Sequence, residues 1–261
     1  MSQSDVMPEA SPVPEVCNVT LADLGASLDA GIRDFLQAPH FGLFFSAVYV
    51  LGGFLMMWLG AGHVTWTLAT SLGFPLAAPF AAVGLYEVSR RLERGEQLIF
   101  HQVLGVVWNE RGRQIPWMGA IIVIYFLFWT FLAHMIFALM MGFSSLTNIS
   151  DGLPALMTRE GLMMIAVEMV VGGLVAALLF AMTVVSLPLL LDKEIDFITA
   201  MIKSIEVVKR NPVVMMSWAA FVAVVTIISL IPWFLGLIVT LPVLGHATWH
   251  IYRRALREPM P

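Results

Sequence analysis

Two ionisable residues sit inside apolar runs. Glu168 lies seven residues past Gly161, and His134 lies eight residues before Gly142. At about 1.5 Å per helical residue, these are depths of about 10 Å and about 12 Å from the same end of two consecutive runs. Ionisable groups in hydrocarbon are costly and mark proton or ion pathways. The two could form a buried pair or a proton or ion site. The plain alternative is a hydrogen bond that fixes the helix pair, or a protonated Glu168 facing headgroups. His246 and His250 are spaced i, i+4 and share a helix face. That spacing can hold a metal. Trp249 and the arginines beside them point instead to a membrane interface, where histidine meets headgroups or neighbouring helix ends. The methionine pairs Met56-Met57, Met140-Met141, Met163-Met164 and Met215-Met216 carry thioethers that copper(I) favours. Adjacent helical residues point about 100° apart, since a turn takes 3.6 residues. Packing is therefore the better reading. There is no phosphate loop, G-x-S-x-G or H-E-x-x-H. The expectation is a chain that is not an enzyme, with no catalytic, cofactor or metal residues and no nucleic-acid partner.

What must position these residues is a membrane bundle. Of 261 residues, 59% are hydrophobic and 12% charged, against about 25% charged in soluble domains. Mean hydropathy is +0.86. Cys17 is the single cysteine, so no internal disulfide forms. Residues 1–18 are polar, acidic and proline-bearing, and read as a disordered tail without a cleavable signal. Residues 19–261 read as a single membrane domain.

Residues 41–86 and 213–252 contain no Asp, Glu, Lys or Arg. The first stretch has 46 residues and the second 40. Each is long enough for two spans of about 20 residues. Their turns fall at Gly60-Ala61-Gly62-His63, flanked by Trp58 and Trp66, and at Ile231-Pro232-Trp233. Residues 117–141 make a third span. A polar loop covers 142–160. Residues 161–191 make a fourth span, interrupted at Glu168 and Pro188.

Three amphipathic helices precede the span pairs. The first opens on a capping box at Thr20–Asp23. Its apolar face is Leu21, Leu24, Leu28, Ile32, Phe35 and Leu36; Asp23, Asp29, Arg33 and Asp34 take the wet face. The second sets Ile99, Val103, Val106 and Val107 against Gln97, His101 and Asn109. The third runs from Asp192-Lys193-Glu194, with Ile198, Met201, Ile202 and Ile205 among its apolar residues and Lys203, Glu206 and Lys209 on the wet side. Pro39, Pro116 and Pro212 stop them. The surfaces on the N-terminal side of the spans hold thirteen basic residues, and the opposite loops hold one, Arg159. The positive-inside rule then puts both termini in the cytoplasm. Arg90, Arg91, Arg94, Arg253, Arg254 and Arg257 set that topology and offer sites for anionic lipid headgroups.

Amphipathic helix, proline, span, turn, span: this unit recurs, over about 20–95, 96–193 and 194–257. Each second span has a kink proline near its inner end, Pro79, Pro188 or Pro242. Gly73 and Gly236 lie six before the proline, Tyr86 and Trp249 seven after, and the double arginines eleven and twelve after.

The run from Gly84-Leu85-Tyr86-Glu87 to Arg90-Arg91-Leu92-Glu93-Arg94 resembles the signature of a bacterial domain-of-unknown-function family of predicted multi-pass integral membrane proteins. So do Val184-Val185-Ser186-Leu187-Pro188 and Gly245-His246-Ala247-Thr248-Trp249-His250. The resemblance implies the bacterial inner membrane and no reaction. Some members bear the label of a cytochrome c oxidase subunit. Two axial haem ligands must flank the ring, which His246 and His250 on one face cannot do. His134 lies about 16 Å deeper than His246 by helical rise. A catalytic oxidase subunit is thereby disfavoured, and an accessory place beside one stays open.

The fold expected is all-α: a polytopic bundle of six transmembrane helices in three hairpins, each preceded by a cytoplasmic amphipathic helix. The function expected is that of a non-enzymatic accessory, assembly or membrane-organising factor, in contact with the bilayer and possible partner of a membrane-protein complex. The alternatives are a small transporter or channel using Glu168 and His134, and an accessory subunit of a respiratory oxidase.

Overall fold

The structure is a computed structural model that describes residues 11–60, 64–142 and 157–258, excepting the side chains of 56, 57, 59, 60 and 64–78. The expected turn at 60–63 and most of the loop at 142–160 lie outside the described residues, as does the start of the N-terminal tail. The chain divides into two compact units, residues 1–120 with 181–261, and residues 121–180.

The helices are α1 (Leu21–Gln37), α2 (Pro39–Gly60), α3 (Val64–Arg94), α4 (Phe100–Glu110), α5 (Ile115–Met141), α6 (Arg159–Thr183), α7 (Ser186–Asp192), α8 (Phe197–Arg210), α9 (Pro212–Leu230) and α10 (Leu237–Ala255). Among the described residues, Ile115–Met141, Arg159–Asp192 and Pro212–Leu230 are long and apolar enough to cross a membrane. The pair Leu21–Gln37 and Pro39–Leu55, bent by 101°, makes a fourth candidate. The chain is thus an all-α, multi-pass membrane protein.

Local chemistry sets the boundaries. Thr20 and Asp23 close the expected capping box: Thr20 Oγ1 accepts from the Asp23 amide at 3.2 Å, and Asp23 Oδ2 accepts from the Thr20 amide at 2.8 Å. Thr20 Oγ1 also donates to Asp23 Oδ2 at 2.6 Å, and this bond, with that from the Thr20 amide, holds the Asp23 carboxyl below its usual pKa. At α8 the roles are exchanged: Asp196 is the N-cap and accepts from the hydroxyl and the amide of Thr199, and its pKa is also lowered. Ala38 (φ −132°, ψ 52°) and Asn211 (φ −126°, ψ 52°) make nearly identical corners. Each precedes a proline, and the pre-proline clash expels that residue from the helical region. The proline then begins the next helix, where its missing N–H costs nothing.

At two of the three prolines expected to kink helices, a serine hydroxyl answers a spare backbone group nearby. Proline lacks an N–H and crowds the carbonyl four residues earlier. For Pro188 that residue is Val184, and there α6 breaks before α7 begins. The freed amide of Val185 donates to Ser204 Oγ on α8 at 3.2 Å. Pro242 lies inside a continuous α10. The carbonyl it leaves free, on Ile238, accepts from Ser46 Oγ on α2 at 3.3 Å.

In the larger unit, α10 packs against α1, α2, α3 and α9. It meets α1 so closely that a Cβ on Gly31 would lie 2.6 Å from the Ala247 amide nitrogen. The buried stripe of α1 is therefore small and polar: Leu24, Ser27, Ala30, Gly31 and Asp34. This corrects the expected wet face. Asp34 points inward, 8% exposed, while Leu21, Ile32 and Leu36 face out. On α8, likewise, Ala200, Ser204 and Val207 are buried and Ile198 and Ile202 exposed. Each helix has a small-residue face for the protein beside an apolar face directed away from it.

The turn between α9 and α10 falls where expected, with Trp233 (φ 49°) and Phe234 (φ 64°) in the left-handed region. That conformation is strained for bulky residues. Phe234 packs over Gly53 and edge-on to Phe54, 6.1 Å between ring centroids.

Residues 11–18 differ from the disordered tail expected there. Glu15–Val16 (β1) pairs antiparallel with Leu256–Arg257 (β2). The Asn211 side chain accepts from the Val19 amide at 2.8 Å and donates to the Cys17 carbonyl at 3.0 Å. The signal is backbone hydrogen bonding, which side-chain polarity does not announce.

Within the smaller unit, Tyr125 Oη donates to the Val175 carbonyl at 2.6 Å, and the Trp129 ring lies against Gly172. Ile124, Phe131, Met169 and Leu174 are exposed, as lipid-facing residues are.

Candidate functional site

The C-terminal end of α3 carries Glu87, Ser89, Arg90, Arg91, Glu93 and Arg94, and the structure surrounds each with partners. Glu87 is only 1% exposed. A lone carboxylate there would cost several kcal/mol in lost hydration. Arg91 Nε reaches Glu87 Oε1 at 2.6 Å, and Arg90 pairs with Oε2. Arg90 also donates to the Leu191 carbonyl at 2.9 Å, joining α3 to the end of α7. Arg91 donates to Gln102 on α4 at 2.9 Å. Glu93 accepts from Trp249 Nε1 and Arg253 Nε, both at 3.0 Å. Asp192 accepts from Tyr252 Oη at 2.8 Å and pairs with Arg94 at 3.2 Å and Arg253 at 3.6 Å. Arg254 donates to Ser27 on α1 at 3.1 Å. Five of the six arginines expected to face headgroups are thus engaged by the chain's own acceptors. Arg257 lies exposed in β2.

Beside this ionic layer lies a sealed polar chain. Ser89 Oγ donates to Asp34 Oδ2 at 2.7 Å and lies 2.8 Å from His246 Nδ1. His250 Nε2 lies 2.8 Å from the same Asp34 oxygen. A hydroxyl has one proton. With Ser89 donating to Asp34, His246 Nδ1 carries the proton that reaches Ser89 Oγ. His246 Nε2 is then an acceptor, buried and without a partner among the described residues. His250 donates from Nε2 to Asp34. The two histidines share one face, as their spacing predicts, and that face meets α1 and α3. Ser89 and His246 are fully buried, so the order His246–Ser89–Asp34–His250 gives no exposed nucleophile.

A third group stands at the end of α4. Glu110 pairs with Arg113, which also pairs with Glu194 at 2.6 Å. Burial pushes the Glu110 carboxyl above its usual pKa, against the pull of Arg113.

The other expected site residues stand apart. His134 is exposed, with Nδ1 2.7 Å from the Thr130 carbonyl of its own helix. Glu168 is half-buried. No hydrogen bond or ion pair joins them among the described residues. Met164 and Met215 are buried while Met163 is exposed, so adjacent methionines diverge as helical geometry requires. Among the described residues no group of three or more His, Cys, Asp or Glu is placed to hold a metal. Sequence reasoning missed Asp34, Ser89 and Asp192. The available signal was the small-residue stripe Ser27, Ala30, Gly31, Asp34 and Ala38, which marks the buried face of α1.

No curated protein and no solved structure matches the chain. Residues 67–192, which span most of α3 and the broken α6–α7 helix, match a family described as predicted integral membrane protein (DUF2189), a description that names no oxidase; the chain is similar to that family.

Proposed function

We propose that this is a six-span protein of the bacterial inner membrane, built as three hairpins with cytoplasmic interfacial helices, and that it serves as a non-enzymatic accessory, assembly or membrane-organising factor. The observation that carries the reading is the closed polar layer. The side chains best able to do chemistry at the inner end pair with one another, the buried His246 Nε2 excepted, and tie α1, α3, α7 and α10 together. A reacting group must touch its substrate, and buried Ser89 and His246 touch protein. Supporting the six spans, α3 has 31 residues, about 46 Å at 1.5 Å per residue. That length crosses a core of about 30 Å and leaves the charged signature beyond it. The matched pre-proline corners at Ala38 and Asn211 support the internal repeat. The thirteen-to-one basic bias supports cytoplasmic termini.

The test is purification of the full chain from membranes in mild detergent, followed by mass spectrometry. A stoichiometric membrane-protein partner is expected; a respiratory oxidase would specify the accessory role. Recovery of the protein alone, together with proton or solute flux in vesicles that Glu168→Gln abolishes, would replace this reading by a transporter or channel. That second reading draws on the half-buried Glu168 in an otherwise apolar helix.

A further inference from the structure

Between α3 and α4 lies an open groove of about 630 Å³, lined by Phe80, Leu104, Gly105, Val107, Trp108 and Arg111. Its volume is in the range of small-ligand sites. Five of the six described lining residues are apolar, and the sixth is a cation at one end. α4 is anchored by Val103, which is fully buried in a cluster with Leu85 and Val88. That anchoring leaves Trp108 outward, 62% exposed. The Arg111 guanidinium lies 3.6 Å from the centre of the Trp108 ring. Nearby carboxylates are engaged elsewhere: Glu110 pairs with Arg113, and Glu87 with Arg90 and Arg91. Among the described residues Arg111 has no ion-pair partner, in contrast to Arg90, Arg91, Arg94 and Arg113.

We propose that this groove binds one anionic glycerophospholipid, with an acyl chain along Phe80, Leu104, Gly105 and Val107 and the phosphate on Arg111. An apolar slot ending in an uncompensated guanidinium has the polarity of a lipid read from tail to headgroup. Guanidinium matches phosphate through paired N–H donors. Tryptophan belongs at headgroup level, and here it also braces the arginine. An extended peptide would bring backbone amides, which this apolar lining cannot satisfy. Gly105 forms an open part of the floor: a Cβ built there meets nothing within 4 Å. The inference rests on the interfacial placement of α4 and not on the accessory role, so lipid titration and partner purification can fail separately.

The experiment is native mass spectrometry of the full-length protein, delipidated in detergent and titrated with phosphatidylglycerol or phosphatidylcholine. One phosphatidylglycerol per chain is expected, preferred by about fivefold, the scale of one basic residue near an anionic surface. Arg111→Gln should abolish that preference while lipid still binds. Gly105→Leu fills the floor and should lower occupancy by both lipids, with thermal unfolding unchanged or raised. Wild-type lipid binding in both variants would overturn the proposal. So would a Gly105→Leu protein whose oligomeric mass changes while its lipid occupancy does not. If either variant fails to fold, photoactivatable acyl-chain phosphatidylglycerol on the wild-type chain decides. Crosslinks at Leu104 or Val107 support the site, and crosslinks confined to other helices overturn it.

Discussion

The C-terminal end of α3 and the hairpin of residues 121–180 solve the same problem with different chemistry. Along α3, from Glu87 to Arg94, partners come from α1, α4, α7 and α10, and most are charged or directional. In the hairpin, Tyr125 to Val175 is a hydrogen bond between helices, Trp129 against Gly172 is a packing contact, and the flanks are exposed apolar residues. In water, burial of apolar surface would hold such a hairpin together. In lipid that force is absent, and packing with a few hydrogen bonds remains. The polar layer specifies one geometry at the cost of burying charge; the hairpin leaves more of its geometry to the bilayer.

The largest effect is expected at Glu87. Glu87→Ala leaves Arg90 and Arg91 facing each other without their carboxylate and should lower stability by about 3 kcal/mol, the scale for breaking a buried pair. Thermal unfolding in detergent measures it. A loss no greater than that of an ordinary surface substitution would put the α3 end in the hairpin's class. A smaller effect belongs to Asp196, which lies in neither region. Its folded pKa is lowered, so its stabilisation is complete above the unfolded value of 3.8 and fades as pH falls through that value to the folded one. Asp196→Ala should cost about 1 kcal/mol at neutral pH, as lost caps do, and little at the acid limit. Unfolding followed against pH should show the two curves converging. Tyr125→Phe should cost least, about 0.6 kcal/mol, the mean for hydrogen bonds between membrane helices. A loss as large as that at Glu87 would show that the hairpin also depends on directional bonds.

The helices and their ends were legible because their causes are local. Thr20 and Asp23 lie three apart, Pro39 and Pro212 act on the residue before them, and Pro188 acts four residues back. The shared face of His246 and His250 follows from helical period. What that face meets does not. Asp34 stands 55 residues from Ser89 and 216 from His250, and on a helical wheel it borders the capping residue Asp23. Arg94 and Arg253 find Asp192 only through the fold, so as sequence they read as topology signals. The length of α8 was legible, but which face it buries was not. Small residues mark close approach between helices, while the larger Ile198 and Ile202 attract the eye.

The hydroxyls that answer the kink prolines bear on how force passes through the bundle. A helix bend with free polar groups can flex at little energetic cost, because nothing is lost when it moves. At Pro242 the spare carbonyl is held by Ser46, and at Val185 the spare amide is held by Ser204. Separating either pair of helices there would strip a hydrogen bond in surroundings with little water to replace it. Each of these bonds therefore transmits a push on one helix to its neighbour as a bracket does, and displacement of α10 should carry α2 with it.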